Sequence, residues 1–203
     1  MAPQIADIIQ DSEFRPELVQ RIAFRETQPT LEVVPADPEW PAIFAEIKEQ
    51  IINALGNEIV LSVNHVGSTS VPDLPAKPMI DIDLVVRDPT NEAEYVQPLE
   101  SAGFKFLLRE PHWHEHRFFY TYQPFAVNLH VWGPDSPEVT RHQIFKQRLL
   151  ACAEDKALYL KAKQMAASQI GEKGGDMQDY NDLKQDTIRR ILRNAFKDLG
   201  YIS

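Results

Sequence analysis

Hydrophobic and polar positions change period along this chain. Between residues 59 and 132 the apolar side chains come in short β-branched runs or alternate with polar ones; over residues 38–55, and again after about residue 138, they recur every three or four positions. The first pattern predicts strands and the second helices. Strands are expected from Ile59 into His65-Val66, and at Ile80–Val86, Phe104–Leu108, Arg117–Tyr120 and Phe125–Trp132, with a short one at Leu31–Val34. Trp40, Ile43, Phe44, Ile47, Ile51 and Leu55 predict a helix from about Pro38, begun by Asp37 with Pro38 and ended by Gly56. Another is expected from near Glu92 to Gly103. After the breaker Gly133-Pro134-Asp135-Ser136-Pro137, three helices are expected around Ile144–Leu150, Leu158–Met165 and Ile188–Phe196, with Gly171 to Gly175 as the loop before the last. Ile5, Ile8, Ile9, Phe14, Leu18, Val19 and Ile22 suggest one or two short helices that pack on the main domain or make a dimer contact. The organisation expected is an N-terminal helical extension (1–30), an α/β core (31–137) and a C-terminal helical part packed on it (138–203).

The predicted strand Ile80–Val86 carries the chemistry. Asp81 and Asp83 interrupt an otherwise aliphatic run, Ile80 to Val86. Residues two apart in a strand share a face, so the two carboxylates project together while Ile80, Ile82 and Leu84 face the core. Such close like charges call for a cation, and hard oxygen donors on a rigid strand suit Mg²⁺. Upstream, Gly67-Ser68-Thr69-Ser70 follows the preceding strand directly, a turn in which a glycine and short hydroxyls can approach a phosphate. Pro72, Pro75 and Pro78 stiffen the loop between, and Lys77 within it can serve as a point cation beside a polyphosphate.

Strand, Gly-Ser turn and Asp-x-Asp on the next strand resemble the nucleotidyltransferase superfamily, the DNA-polymerase-β-like fold. The likeness becomes closer through Val34-Pro35-Ala36-Asp37-Pro38-Glu39-Trp40-Pro41, His65-Val66-Gly67-Ser68-Thr69-Ser70-Val71-Pro72, Ala76-Lys77-Pro78, Leu129-His130-Val131, and the pairs Tyr159 with Lys163 and Tyr180 with Lys184. These are similar to the GrpB family, some of whose members are fused to dephospho-coenzyme A kinase. Ala36, Asp73 and Asn128 stand where that family tends to have tyrosine, glycine and histidine. The resemblance implies a nucleotidyltransferase-like mixed sheet flanked by helices, a nucleoside triphosphate on the turn, Mg²⁺ on Asp81 and Asp83, and transfer of a nucleotidyl group to an acceptor. The alternative is an inactive module on the same fold that binds a nucleotide or another phosphorylated small molecule.

The remaining candidates follow from position. Asn128, His130 and Trp132 share one face of their strand where active transferases usually carry a third carboxylate, so Asn128 and His130 are candidates for substrate or metal, and His130 for a base. Arg109 and Arg117 are candidate phosphate or carboxylate clamps, with surface ion pairs as the alternative. Arg141, Lys163 and Lys184 are the basic residues of the helical part expected to turn toward phosphate, and Tyr180 stacks on a base or packs against a lysine stem. His112, His114 and His116 would share a face of an extended chain and suggest Zn²⁺ as a further option.

Composition narrows the partners. Of 203 residues, 43% are hydrophobic, enough for a sizeable core, and the formal net charge of −9 argues against binding nucleic acid over a broad basic surface, leaving only a local patch. The single cysteine, Cys152, excludes an internal disulfide. With no apolar run long enough to span a membrane, a cytoplasmic protein without membrane contact is expected.

Overall fold

The computed structural model describes residues 3–27, 31–173 and 177–203. Its centre is a six-stranded mixed sheet built from β1 (Gln20–Arg21), β2 (Val60–Val66), β3 (Ile80–Val86), β4 (Lys105–Glu110), β5 (His116–Thr121) and β6 (Val127–Trp132), in the order β1-β4-β5-β6-β3-β2. All neighbours are antiparallel except β3 and β6, whose parallel register sets Asp81 beside Asn128 and Asp83 beside His130. Two faces follow from the two-residue period. One carries Ile82, Leu84, Leu129, Val131 and Phe119 into the main core; the other carries Asp81, Asp83, Asn128, His130, Phe118 and Tyr120.

Helices α2 (Trp40–Leu55) and α3 (Val96–Ser101) cover the apolar face. Asp37 makes the turn before α2 by accepting the Glu39 N–H at 2.9 Å, and Gly56 ends it at φ 78°. Trp40, Ile47, Ile51 and Leu55 are the positions that α2 buries. Each such side chain contributes on the order of 1.5–3 kcal/mol, and Ile51→Ala, at a fully buried site, should cost about 2–5 kcal/mol. On the other side, α4 (Pro137–Ala151), α5 (Ala153–Lys173) and α6 (Met177–Asp198) pack together and onto the loop after β2, where Val71 and Leu74 join Leu149, Tyr159 and Ile191. The short α1 (Ile5–Ile9) rests against α4 and α6 through Ile8. Among the described residues no helix is long and apolar enough to cross a membrane.

Several expectations need correction. Leu31–Val34 forms only a single bridge, Val34 to Ala76. The strand of this region lies earlier, at β1, where two exposed residues lengthen the sheet edge. The loop expected from Gly171 does not start there, because α5 runs through Gly171 to Lys173; residues 174 and 175 lie outside the described residues. The segment holding His112 and His114 is a turn, with His114 and Glu115 at φ near 55°, and His116 opens β5 with its ring buried. The extended geometry that a three-histidine zinc site required is absent, and no group of three or more potential metal ligands occurs among the described residues.

Candidate functional site

Gly67 is where turn and carboxylate meet. Its φ of 67° and ψ of −169° lie in a region open essentially to glycine alone, and a Cβ there would come within 2.9 Å of Asp81 Cβ and closer still to Asp81 Oδ2. The turn can thus press directly on the carboxylate. Its hydroxyls divide the work: Ser70 Oγ donates to Gly67 O at 2.7 Å and closes the turn, while buried Thr69 donates to Met79 O at 3.2 Å and contacts His65 Nε2 at 3.0 Å. Ser68 reaches toward the helices and shares a 3.3 Å hydrogen bond with Tyr159 Oη. Ser68 therefore remains a candidate contact, whereas Thr69 and Ser70 hold the loop.

Three lysines converge on this turn from distant parts of the chain. The Lys77 ammonium lies 4.0 Å from the centre of the Tyr180 ring and Lys184 4.6 Å from it; Lys163 lies 5.0 Å from the Tyr159 ring and donates to Pro75 O at 2.5 Å. Burial, then repulsion by Lys184, brings Lys77 down to about 7 against the attraction of Asp81. Lys163 falls to about 7 through burial and then the charges of Lys184 and Lys77, and burial lowers Lys184 to about 8. Asp81 is the carboxylate whose charge acts on all three. Burial raises Asp81 itself, opposed by Asn128, which donates to its Oδ1 at 2.7 Å, and by Lys77, Lys184 and His142. Tyr180 Oη, fully buried beside two of these ammonium groups, has no hydrogen-bond partner among the described residues.

Asp83 lies in different surroundings. Trp132 Nε1 donates to its Oδ1 at 2.9 Å and His142 Nδ1 to its Oδ2 at 2.8 Å. Burial alone would raise Asp83, but the His142 charge and hydrogen bond, with His130 and Trp132, outweigh burial and hold it below the ordinary value. Burial likewise opposes charge on His142, yet the Asp83 charge and hydrogen bond, helped by Glu138 and Asp81, push it up to about 9. The pair is an ion pair at neutral pH. Behind it runs a neutral chain in which His116 Nδ1 meets Glu110 Oε2 at 2.7 Å and His116 Nε2 meets His130 Nδ1 at 3.0 Å. Burial lowers His116 to about 3 and takes His130 well below its ordinary value, so both rings are uncharged. Burial raises Glu110; with its carboxylate as the acceptor, His116 carries its proton on Nδ1 and His130 donates from Nδ1.

The residues present do not fit a magnesium ion. Both Asp83 oxygens already receive N–H donors, one from a cationic ring. Asp81 Oδ1 is taken by Asn128, and the neighbouring strand offers Asn128 and an engaged His130 where a third carboxylate would be needed. In this arrangement each carboxylate is balanced separately by side chains of the protein.

Three candidate arginine positions also change role. Arg109 and Arg117 sit on the opposite face of the sheet, where Arg109 grips Glu92 with two 2.5 Å bonds and Arg117 adds a third at 2.8 Å; they anchor the segment before α3. Alternation places Arg117 behind a site face that shows His116 and Phe118. Arg141 donates to Ile8 O at 2.6 Å, Gln10 O at 2.9 Å and Asp11 at 2.9 Å, tying the end of α1 to α4. Residues that the sequence reading passed over are His142, Glu110, His116 as a buried link, and Arg25, which donates to Asn128 Oδ1 at 2.8 Å.

Fold and site together define a mixed α/β protein: a six-stranded sheet flanked by helices, with a Gly-Ser turn and an Asp-x-Asp strand on its polar face. The family model described as GrpB protein matches residues 30–194, and the chain belongs to that family. A UPF0157 protein of Halalkalibacterium halodurans is 37% identical over 182 residues, covering 88% of this chain and 91% of that one. A UPF0157 protein of Streptomyces coelicolor is 36% identical over 159 residues, covering 78% and 81%. The crystal structure of the conserved protein GrpB from Enterococcus faecalis shares the fold with a TM-score of 0.67 at 22% identity, over 83% of this chain and 99% of that chain.

Proposed function

We propose that the polar face of the sheet binds the phosphates of a nucleotide or another phosphorylated small molecule, without requiring Mg²⁺. The observation that carries this reading is the convergence of Lys77, Lys163 and Lys184 on Tyr159 and Tyr180 beside the Gly67-Ser68 turn. Confining three ammonium groups in partly buried surroundings, beside an Asp81 carboxyl itself pushed toward its neutral form, costs free energy. A polyanion reverses that cost. Ser68 Oγ and Tyr180 Oη supply hydroxyl donors at the same place. Within this reading Asp83, neutralised by His142, holds α4 against the sheet, and Asp81 keeps the lysines apart and oriented. The half-buried Cys152 suits a reducing cytoplasm.

The test is calorimetric titration with inorganic tripolyphosphate and with ATP, each in EDTA and in excess Mg²⁺, on the native protein, Lys163→Gln/Lys184→Gln and Asp81→Asn/Asp83→Asn. Binding in EDTA is expected, weakened about 10- to 100-fold per lysine removed, as for loss of a charge-assisted hydrogen bond. Failure of every phosphate probe to bind would sink the proposal. Binding that depends on Mg²⁺ and disappears in the Asp81→Asn/Asp83→Asn protein would replace it with the metal-dependent transferase reading.

A further inference from the structure

The N-terminal arm occupies part of this face. After β1, the Ile22 and Ala23 amides both donate to Leu107 O, and the chain then turns across β5. There the Arg25 guanidinium lies 5.4, 4.8 and 5.8 Å from the ring centres of Phe118, Tyr120 and Tyr122, and donates to Tyr122 Oη at 2.9 Å and Asn128 Oδ1 at 2.8 Å. The Glu26 amide donates to Tyr120 Oη at 3.3 Å, and Tyr122 Oη donates to Thr27 O at 3.1 Å. A flat, donor-bearing group thus rests against three aromatic rings with its edge on an amide oxygen. That oxygen has a fixed direction, because the Asn128 amide nitrogen is committed to Asp81.

Side chains more than secondary structure hold the arm there, with Lys105 paired to Glu26 and Tyr120 Oη donating to Phe24 O at 3.5 Å in addition to the Arg25 contacts. Its strand is two exposed residues long, Phe24 is 78% exposed, and the arm precedes residue 30, where the family match begins. The surface beneath is firm by contrast, since Phe118 and Tyr120 of β5 and Asn128 of β6 lie on strands paired within the sheet. Arg25 also lies close enough for its charge to act on Lys77 and His130, so the slot and the lysines adjoin through Asn128 and Asp81.

We propose that Phe118, Tyr120, Tyr122 and Asn128 form a subsite for the nucleobase of a nucleotide, and that Arg25 fills this subsite as a displaceable plug. The inference rests on the reading that the lysines take the phosphates. The rings offer stacking area to any base, and Asn128 Oδ1 accepts an N–H that each base can present. Arg25 supplies the same two features, a plane and an N–H edge, so base and plug compete for one place.

The experiment titrates ATP, inorganic tripolyphosphate and adenosine into the native protein and Arg25→Ala, which leaves β1 and the core untouched. Removing the plug should tighten ATP at least about tenfold, bring adenosine into a measurable range and leave tripolyphosphate unchanged. Hydrogen exchange of the Glu26 amide should quicken when ATP binds the native protein. Equal ATP affinities for the two proteins would overturn the subsite, and weaker binding of both ATP and tripolyphosphate to Arg25→Ala would overturn it in favour of an arginine that clamps anions. Adenosine binding to Arg25→Ala without tripolyphosphate binding to either protein would keep the subsite and remove the phosphate reading. If no probe binds either protein, both fall.

Discussion

Gly67→Ala tests whether the turn and the carboxylate are built against each other. Two costs add. The backbone, at φ 67° and ψ −169°, admits a side chain only with strain of about 1–3 kcal/mol. The new methyl then lies 2.9 Å from Asp81 Cβ, about half an ångström inside ordinary carbon contact, and rotating the Asp81 side chain cannot move its own Cβ away. Relief requires Asp81 to shift on β3 away from the turn, which breaks the 2.7 Å bond it accepts from Asn128 of β6, a bond to a charged acceptor contributing about 1.5–3 kcal/mol. Gly56 is the internal control, because it holds a similar conformation, φ 78° and ψ 157°, with nothing within 4 Å of its would-be Cβ. Gly56→Ala carries the backbone cost alone. Gly67→Ala should therefore be less stable than Gly56→Ala by about 1.5–3 kcal/mol in urea unfolding, and melt about 3–12 °C lower, at the 2–4 °C per kcal/mol usual for a chain of this size. Equal stabilities within about 0.5 kcal/mol would refute the contact and leave Gly67 a turn residue like any other.

Three further predictions concern protons. His142, raised from 6.5 to about 9, stabilises the fold fully below pH 6.5 and loses that contribution as pH rises through 9. His142→Gln should therefore cost most near pH 6, by about 1–2 kcal/mol once the 32% exposure of the ring is allowed for, and little at pH 9.5; a difference that stays flat with pH argues against the ion pair. Because Lys77 and Lys163 sit near 7 and Lys184 near 8, tripolyphosphate should bind best below pH 7, weaken as pH rises through 8, and take up protons on binding at pH 8. Calorimetry in buffers of different ionisation enthalpy reads that uptake directly, and its absence would contradict the clustering. Finally, ¹⁵N spectra at pH 7 should show His116 and His130 neutral and protonated at Nδ1, and Glu110→Ala should disturb both; an Nε2-protonated His130 would contradict the chain of hydrogen bonds.

Much of this face was legible because a strand has a strict period. Reading Asp81 with Asp83, and Asn128 with His130 and Trp132, required only alternation, and the parallel register of β3 and β6 brings the two sets together. The same rule, applied from His116 and Phe118, would have sent Arg117 to the far side. Helices were harder. Arg141 and His142 are neighbours on α4, about 100° apart around its axis, so a small error in phase exchanges a residue that ties down α1 for one that neutralises Asp83. Lys163 and Lys184 could be singled out because each follows a tyrosine by four positions. Arg25 could not, since its place depends on the path of an arm whose anchors, Tyr120 and Tyr122, lie almost a hundred residues away.

The division of the chain near residue 137 is a division of pattern and not of chemistry. Gly67, Lys77, Asp81 and Asn128 come from the sheet half, whereas Tyr159, Lys163, Tyr180 and Lys184 come from the helices. The helical half also supports the loop that carries the turn: Lys146 donates to His65 O at 3.0 Å, Lys156 to Pro72 O at 2.5 Å and Lys163 to Pro75 O at 2.5 Å. Three ammonium groups thus hold three carbonyls along one stretch that has little secondary structure of its own. A ligand that draws Lys163 toward its phosphates therefore pulls on the same contact that fixes the loop. Binding and docking of the two halves are then linked, and the lysines must be studied in the intact chain, because a fragment ending near residue 137 keeps the carboxylates while losing two of the three cations and every strut beneath the turn.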